Sequence, residues 1–138
     1  MKGPMRATVA AAAILALIAG CSPVETAIVA DPGLEFSLPV GRTAVLAGNG
    51  PRITFRQVRE DSRCPIDGVC IWAGDAKIEL IVSRDGSDDS KVISLTAPNN
   101  ETTSGDLRIR FVSLAPAPKL GDAGAQRPYV ARLIVNRG

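Results

Sequence analysis

The sequence contains no histidine, and its two methionines, Met1 and Met5, both stand at the extreme N-terminus. Without imidazole, proton transfer near neutral pH falls to a carboxylate or lysine moved far from its ordinary pKa. Without imidazole and thioether, a zinc or copper site has few donors left beyond position 5. No G-x-S-x-G or S-x-x-K nucleophile motif is present. Glu60 and Asp61 are adjacent, so on a strand they face opposite ways instead of converging. The chain therefore reads as a non-enzyme with no cofactor and no metal site.

Excess charge is missing too. Lys2 and Arg6 account for the formal +2, and from Cys21 onward fourteen basic and fourteen acidic side chains cancel. Nothing basic remains to draw nucleic acid, which the sequence excludes as a partner. Bulk is also scarce: Phe36, Phe55, Phe111, Trp72 and Tyr129 are the only aromatics, so any core rests mainly on Ile, Leu and Val.

What is present begins with an export pattern. Lys2 and Arg6 precede an apolar run from Ala7 to Ile18, shorter than a membrane-spanning helix requires. Ile18-Ala19-Gly20-Cys21 follows at once and resembles the lipobox of bacterial lipoproteins. That resemblance implies cleavage before Cys21, a diacylglycerol thioether on its sulfur and acylation of the freed amine. Several acyl chains, at about 0.8 kcal/mol per buried methylene, anchor stably where one is marginal. The expected domains are a signal peptide over 1–20, an acylated N-terminus with a flexible spacer over 21–34, and a single β domain over 35–138. Ser22 stands where aspartate tends to retain lipoproteins at the inner membrane. The expected location is thus the outer membrane facing the periplasm, if the source is Gram-negative.

The body reads as short β segments punctuated by turns. Phe36, Leu38 and Val40 alternate, with Pro39 confining that strand to an edge. Gly48-Asn49-Gly50-Pro51 signals a turn before Ile53 and Phe55. Val58 falls out of phase, which predicts a bulge near Arg56 or Gln57. Ile78, Leu80 and Val82 alternate against Lys77 and Glu79, and Asp85-Gly86 opens a hairpin turn with a solvated tip through Asp89. That tip lacks the ligand spacing of a calcium loop. Leu107, Ile109 and Phe111 alternate with arginines, and Tyr129, Ala131, Leu133 and Val135 close the chain. About eight short strands without helical periodicity predict an all-β fold, a small antiparallel sandwich or barrel.

The densest stretch is D-S-R-C-P-I-D-G-V-C-I-W-A-G-D-A, from Asp61 to Ala76. With Cys21 consumed by lipid, Cys64 and Cys70 remain as an even pair, and an oxidising envelope makes a disulfide the default. Two thiolates are too few for a metal, and the spacing is not that of a thioredoxin-like redox pair. A stapled loop joining two strands is the leading expectation. Trp72 is expected to pack against the adjacent disulfide as core, and Arg63 and Asp75 to pair or be solvated. If the loop is a recognition surface, its candidates are Arg63, Ile66, Asp67, Trp72 and Asp75. A disulfide-closed protease inhibitor is the alternative, although the ring itself holds no basic residue.

D-S-R-C-P followed by C-I-W-A-G-D-A resembles a segment of small bacterial lipoproteins and secreted proteins, similar over most of the mature chain. This includes a late proline-containing loop and a final Tyr-led strand such as Tyr129 to Val135. The resemblance implies fold and location but no activity. Together these readings predict a non-catalytic, lipid-anchored envelope protein that contacts the membrane through its N-terminal lipid and binds or supports an unknown envelope protein or ligand.

Overall fold

The computed structural model describes residue 3, residues 26–122 and residues 127–138. The expected signal segment apart from residue 3, together with Cys21 and Ser22, lies outside the described residues. Nine strands and no helix make up the described chain: β1 (Ile28–Ala30), β2 (Glu35–Pro39), β3 (Thr43–Leu46), β4 (Arg52–Asp61), β5 (Ala76–Arg84), β6 (Ser87–Ser94), β7 (Glu101–Ser104), β8 (Leu107–Ala115) and β9 (Val130–Arg137). They form a sandwich of two sheets, one ordered β1-β3-β4-β5-β6 and the other β2-β9-β8-β7.

The alternation seen in the sequence sets which residues face inward. One sheet buries Ala44, Leu46, Ile53, Phe55, Ile78, Leu80, Val82 and Ile93; the other buries Leu38, Leu107, Ile109, Phe111, Ala131, Leu133 and Val135. Phe55 and Phe111 are the largest fully buried side chains, one from each sheet. Pro39 pairs with Val130 on β2, an edge strand, where its missing N–H costs no ladder bond.

Bulges keep the long strands in phase with the core. The expected one lies between Phe55 and Gln57, and a second lies between Val58 and Glu60. Across them Ile53, Phe55, Val58 and Asp61 oppose Val82, Leu80, Ile78 and Ala76. Each member of that series belongs to the inward face, so the two extra residues carry Asp61 to the inner side of the sheet's end. A third bulge, between Phe111 and Ser113, does the same for Leu114 on β8.

Two expectations need correction. Residues 28–30, assigned to the spacer, form β1, which pairs in parallel with β3. Its three residues are too few to display an alternation, and Ala30 is buried because β3 offers it a ladder. The β5–β6 tip is only Asp85 and Gly86, both at positive φ (50° and 77°), while Asp88 and Asp89 pair with Ser83 and Val82 inside the ladder. Two left-handed residues make the tight turn that matches strand twist, so the tip needs no further length.

Candidate functional site

β4 and β5 run between the two ends of the sandwich. At one end they are joined by the loop over 62–75, which closes through a disulfide between Cys64 and Cys70 with Cα atoms 5.9 Å apart. The base of the loop is pinched. Ser62 N donates to Asp75 O at 2.8 Å, and Asp75 N donates to Ser62 Oγ at 3.1 Å. Gly74 makes the pinch possible, since a Cβ there would sit 1.5 Å from the Ser62 carbonyl oxygen.

Beneath the loop lies a buried charge cluster built on Asp61. Arg63 grips its carboxylate with two parallel bonds, Nε to Oδ1 and Nη2 to Oδ2, both 2.8 Å. The same guanidinium donates to Leu114 O at 2.6 Å and Pro116 O at 2.9 Å, so one side chain ties the end of β4 to the end of β8 in the other sheet. Tyr129 Oη donates to Asp61 Oδ2 at 3.1 Å from β9's approach, and Arg127 stands 3.9 Å from the same oxygen. Arg127 Nη1 is buried there without a hydrogen-bond partner among the described residues, while Nη2 pairs with Asp122 at 3.1 Å. Burial by itself would push the Asp61 carboxyl up, but the Arg63 bonds and charge and the Tyr129 hydroxyl hold it below its ordinary value. Burial and the bond to Asp61 raise the Tyr129 phenol. Asp61 is thus an ionised acceptor with its lone pairs engaged, suited to bracing and a weak base.

The remaining polar candidates are braces as well. Asp75 Oδ1 accepts from Ala76 N, Leu95 N, Thr96 N and Thr96 Oγ1 at 2.8 to 3.1 Å, which fixes the turn after β6. Burial raises the Asp75 carboxyl, and these bonds more than offset it, leaving it low. Asp67 Oδ1 accepts from Leu120 N at 2.8 Å, and Ile66 N donates to Pro118 O at 3.0 Å, so the stapled ring is laced to the segment after β8. Arg63 and Asp75, expected to pair with each other or be solvated, instead have separate partners. Arg63 is spent on Asp61, two positions away, and on carbonyls more than fifty positions away in sequence.

Above these braces stands an apolar crown. Ile66 is 67% exposed, Val69 101%, Ile71 90%, Trp72 70% and Leu120 63%. The expectation that Trp72 packs as core is overturned. The pinch at Ser62 and Gly74 places the ring beyond the ends of both sheets, where no core is within reach. Of the five sequence candidates, Ile66 and Trp72 lie on this surface, and Arg63, Asp67 and Asp75 hold it in shape. Val69, Ile71 and Leu120 complete the crown. For Val69 and Ile71 the signal in the sequence is V-C-I-W, apolar residues in a turn-rich loop with no alternation to bury them, whereas Leu120 joins them only through the bond of its N–H to Asp67.

Among the described residues no group of three His, Cys, Asp or Glu side chains is placed to hold a metal ion. Two shallow open hollows lie elsewhere. One, of about 580 Å³, is at the opposite end between Gly48–Arg52, Ser83–Gly86, Asp106 and Arg137, and the other is beside Arg42 and Thr54. Arg84 and Asp106 in the first are already paired with each other. No protein-family model, curated protein or solved structure matches this chain.

Proposed function

We propose that this chain is an exported, lipid-anchored envelope protein whose stapled end is a binding surface, not a catalytic centre. The observation that carries the reading is the crown itself: Ile66, Val69, Ile71 and Trp72 exposed on a loop held by a disulfide, with Leu120 exposed on the segment laced to it. Large apolar side chains left exposed together at one end of a folded body mark a contact surface. Holding it rigid beforehand lowers the ordering cost of binding. The carboxylates nearby are engaged by guanidinium, hydroxyl and backbone N–H donors, which fits a support role better than proton transfer. The lipobox residues Ile18 to Cys21 supply the anchor, and Ser22 favours the outer membrane, facing the periplasm, in a Gram-negative source.

Intact-mass analysis of the native product tests the reading. Loss of residues 1–20, a diacylglyceryl and acyl addition at Cys21, and two hydrogens fewer for Cys64 and Cys70 are the expected masses. Free thiols in the body or an unmodified N-terminal sulfur would overturn it. The protease-inhibitor alternative draws on the full exposure of Val69 at the outside of the ring. Inhibition of any member of a protease panel at micromolar protein would favour it, and uniform inactivity would remove it.

A further inference from the structure

We infer that the surface met by the crown is the membrane that holds the anchor, so that the protein touches its own bilayer twice. This rests on the lipid-anchor reading above and deepens it by naming the contact.

Strand directions carry the inference. β4 runs toward the stapled loop, β3 is antiparallel to β4, and β1 is parallel to β3. β1 therefore runs away from the staple, and the chain preceding Ile28 arrives from the staple's end. Arg42, in the turn between β2 and β3, donates to Thr26 O at 3.4 Å on that same side. Ile28 lies level with Ala44, Ile53 and Val82. From Val82 to Ala76 the sheet rises six positions, or about 20 Å at 3.3 Å each. The seven Cα steps from Cys21 to Ile28 span at most about 25 Å. An anchored Cys21 can thus reach the height of the loop base, so the tether lets that end face the lipid surface and keeps the whole body close to it. Such a short tether gives the crown a high effective concentration at the bilayer, so that a weak contact is populated.

The chemistry of the apex suits a shallow interfacial position. Residues 64–74 carry a single charge, Asp67, whose Oδ1 is occupied by Leu120 N. Trp72 with Ile71 and Val69 provides the apolar bodies and the indole N–H that favour the headgroup boundary. The loop's irregular backbone would have unpaired groups in hydrocarbon, which limits it to that boundary.

Trp72 is the only tryptophan, so its emission reports this apex alone. The full chain purified from its native envelope would be reconstituted into vesicles of phosphatidylethanolamine and phosphatidylglycerol, with and without acyl chains brominated near the headgroup. Expected are a blue-shifted emission, strong quenching by brominated lipid and several-fold lower access to iodide than in detergent-free delipidated protein. Val69→Ser/Ile71→Ser should still float with the vesicles but lose most of the bromolipid quenching. If the wild-type chain floats yet Trp72 keeps a water-like emission, open to iodide and blind to brominated lipid, the inference is overturned and the anchor stands. Shielding of Trp72 only in native envelope vesicles would also overturn it, in favour of a protein partner. Failure to float, with an unmodified Cys21, would overturn the anchor reading itself.

Discussion

The two ends of this sandwich are built on opposite principles. At the end away from the staple, connections are short and local: Asp85-Gly86 and Gly105-Asp106 reverse the chain in two residues, using positive φ at Asp85, Gly86 and Gly105. Backbone conformation alone forms those turns. At the stapled end, fourteen residues join β4 to β5, and local conformation does little. The shape there comes from a disulfide, a four-donor arginine, a buried carboxylate and bonds spanning more than fifty positions. Tight turns need no such bracing, and a chain that braces one end this heavily is keeping an unfavourable surface on display. Among the described residues, five of the nine exposed large hydrophobic ones lie at that end, against one, Leu34, in the turn between β1 and β2 at the other.

Substitutions at the two ends should therefore differ in size and in kind. The largest effect is expected from Asp61→Asn, which leaves the buried Arg63 without its counter-charge and Arg127 with Asp122 alone. Loss of one partner from a buried pair costs about 3 to 5 kcal/mol, and urea unfolding would measure it. The same group governs acid stability. Asp61 is held below its ordinary 3.8, as are Asp75 and Asp89, so their contribution is complete above that value. It is lost as pH falls toward and through the lowered folded values. Thermal midpoints should drop below pH ~4 in wild type, with a shallower drop in Asp61→Asn.

A pair of glycine replacements sharpens the contrast. Gly74→Ala drives a Cβ into the Ser62 backbone and should cost about 3 kcal/mol. Gly86→Ala meets open space and pays only for its left-handed φ of 77°, about 1 kcal/mol. Equal losses in urea titrations of the two variants would break the comparison between the ends. Cys64→Ser/Cys70→Ser opens a small ring, and loop-closure entropy sets its cost at about 2 kcal/mol. Its effect on fast hydrogen exchange should be confined to residues 62–75 and 116–122. The smallest effect on stability, within about 0.5 kcal/mol, belongs to Ile71→Ser, since the side chain packs against little. A large destabilisation there would show that the crown is folded inward after all.

The same contrast explains what could be read from the sequence. Ile53 with Phe55, Ile78 with Leu80 and Val82, and Leu107 with Ile109 and Phe111 announce their strands, because a period of two survives without knowledge of the partner. Asp85-Gly86 announces its turn for the same local reason. The bulges at Val58/Glu60 and Phe111/Ser113 do not, since a bulge exists only relative to the strand opposite. Nor does β1, whose ladder partner is parallel and sixteen positions away. Cys64 and Cys70 pair as expected, yet nearness to them in sequence misplaces Trp72. A disulfide can lie inside a core or beyond it, and the decision belongs to the pinch at Ser62 and Gly74. Arg63 is visible as a charge, but its carbonyl partners on Leu114 and Pro116 come from the other sheet.

Hydroxyl-radical footprinting of the acylated protein in its native membranes, against the same protein in dilute detergent, tests the difference between the ends most directly. Labelling of Ile66, Val69, Ile71, Trp72 and Leu120 should fall several-fold in the membrane, while Leu34 and Pro51 at the far end label equally in both. Equal labelling of the crown in both conditions would contradict its use as a contact surface.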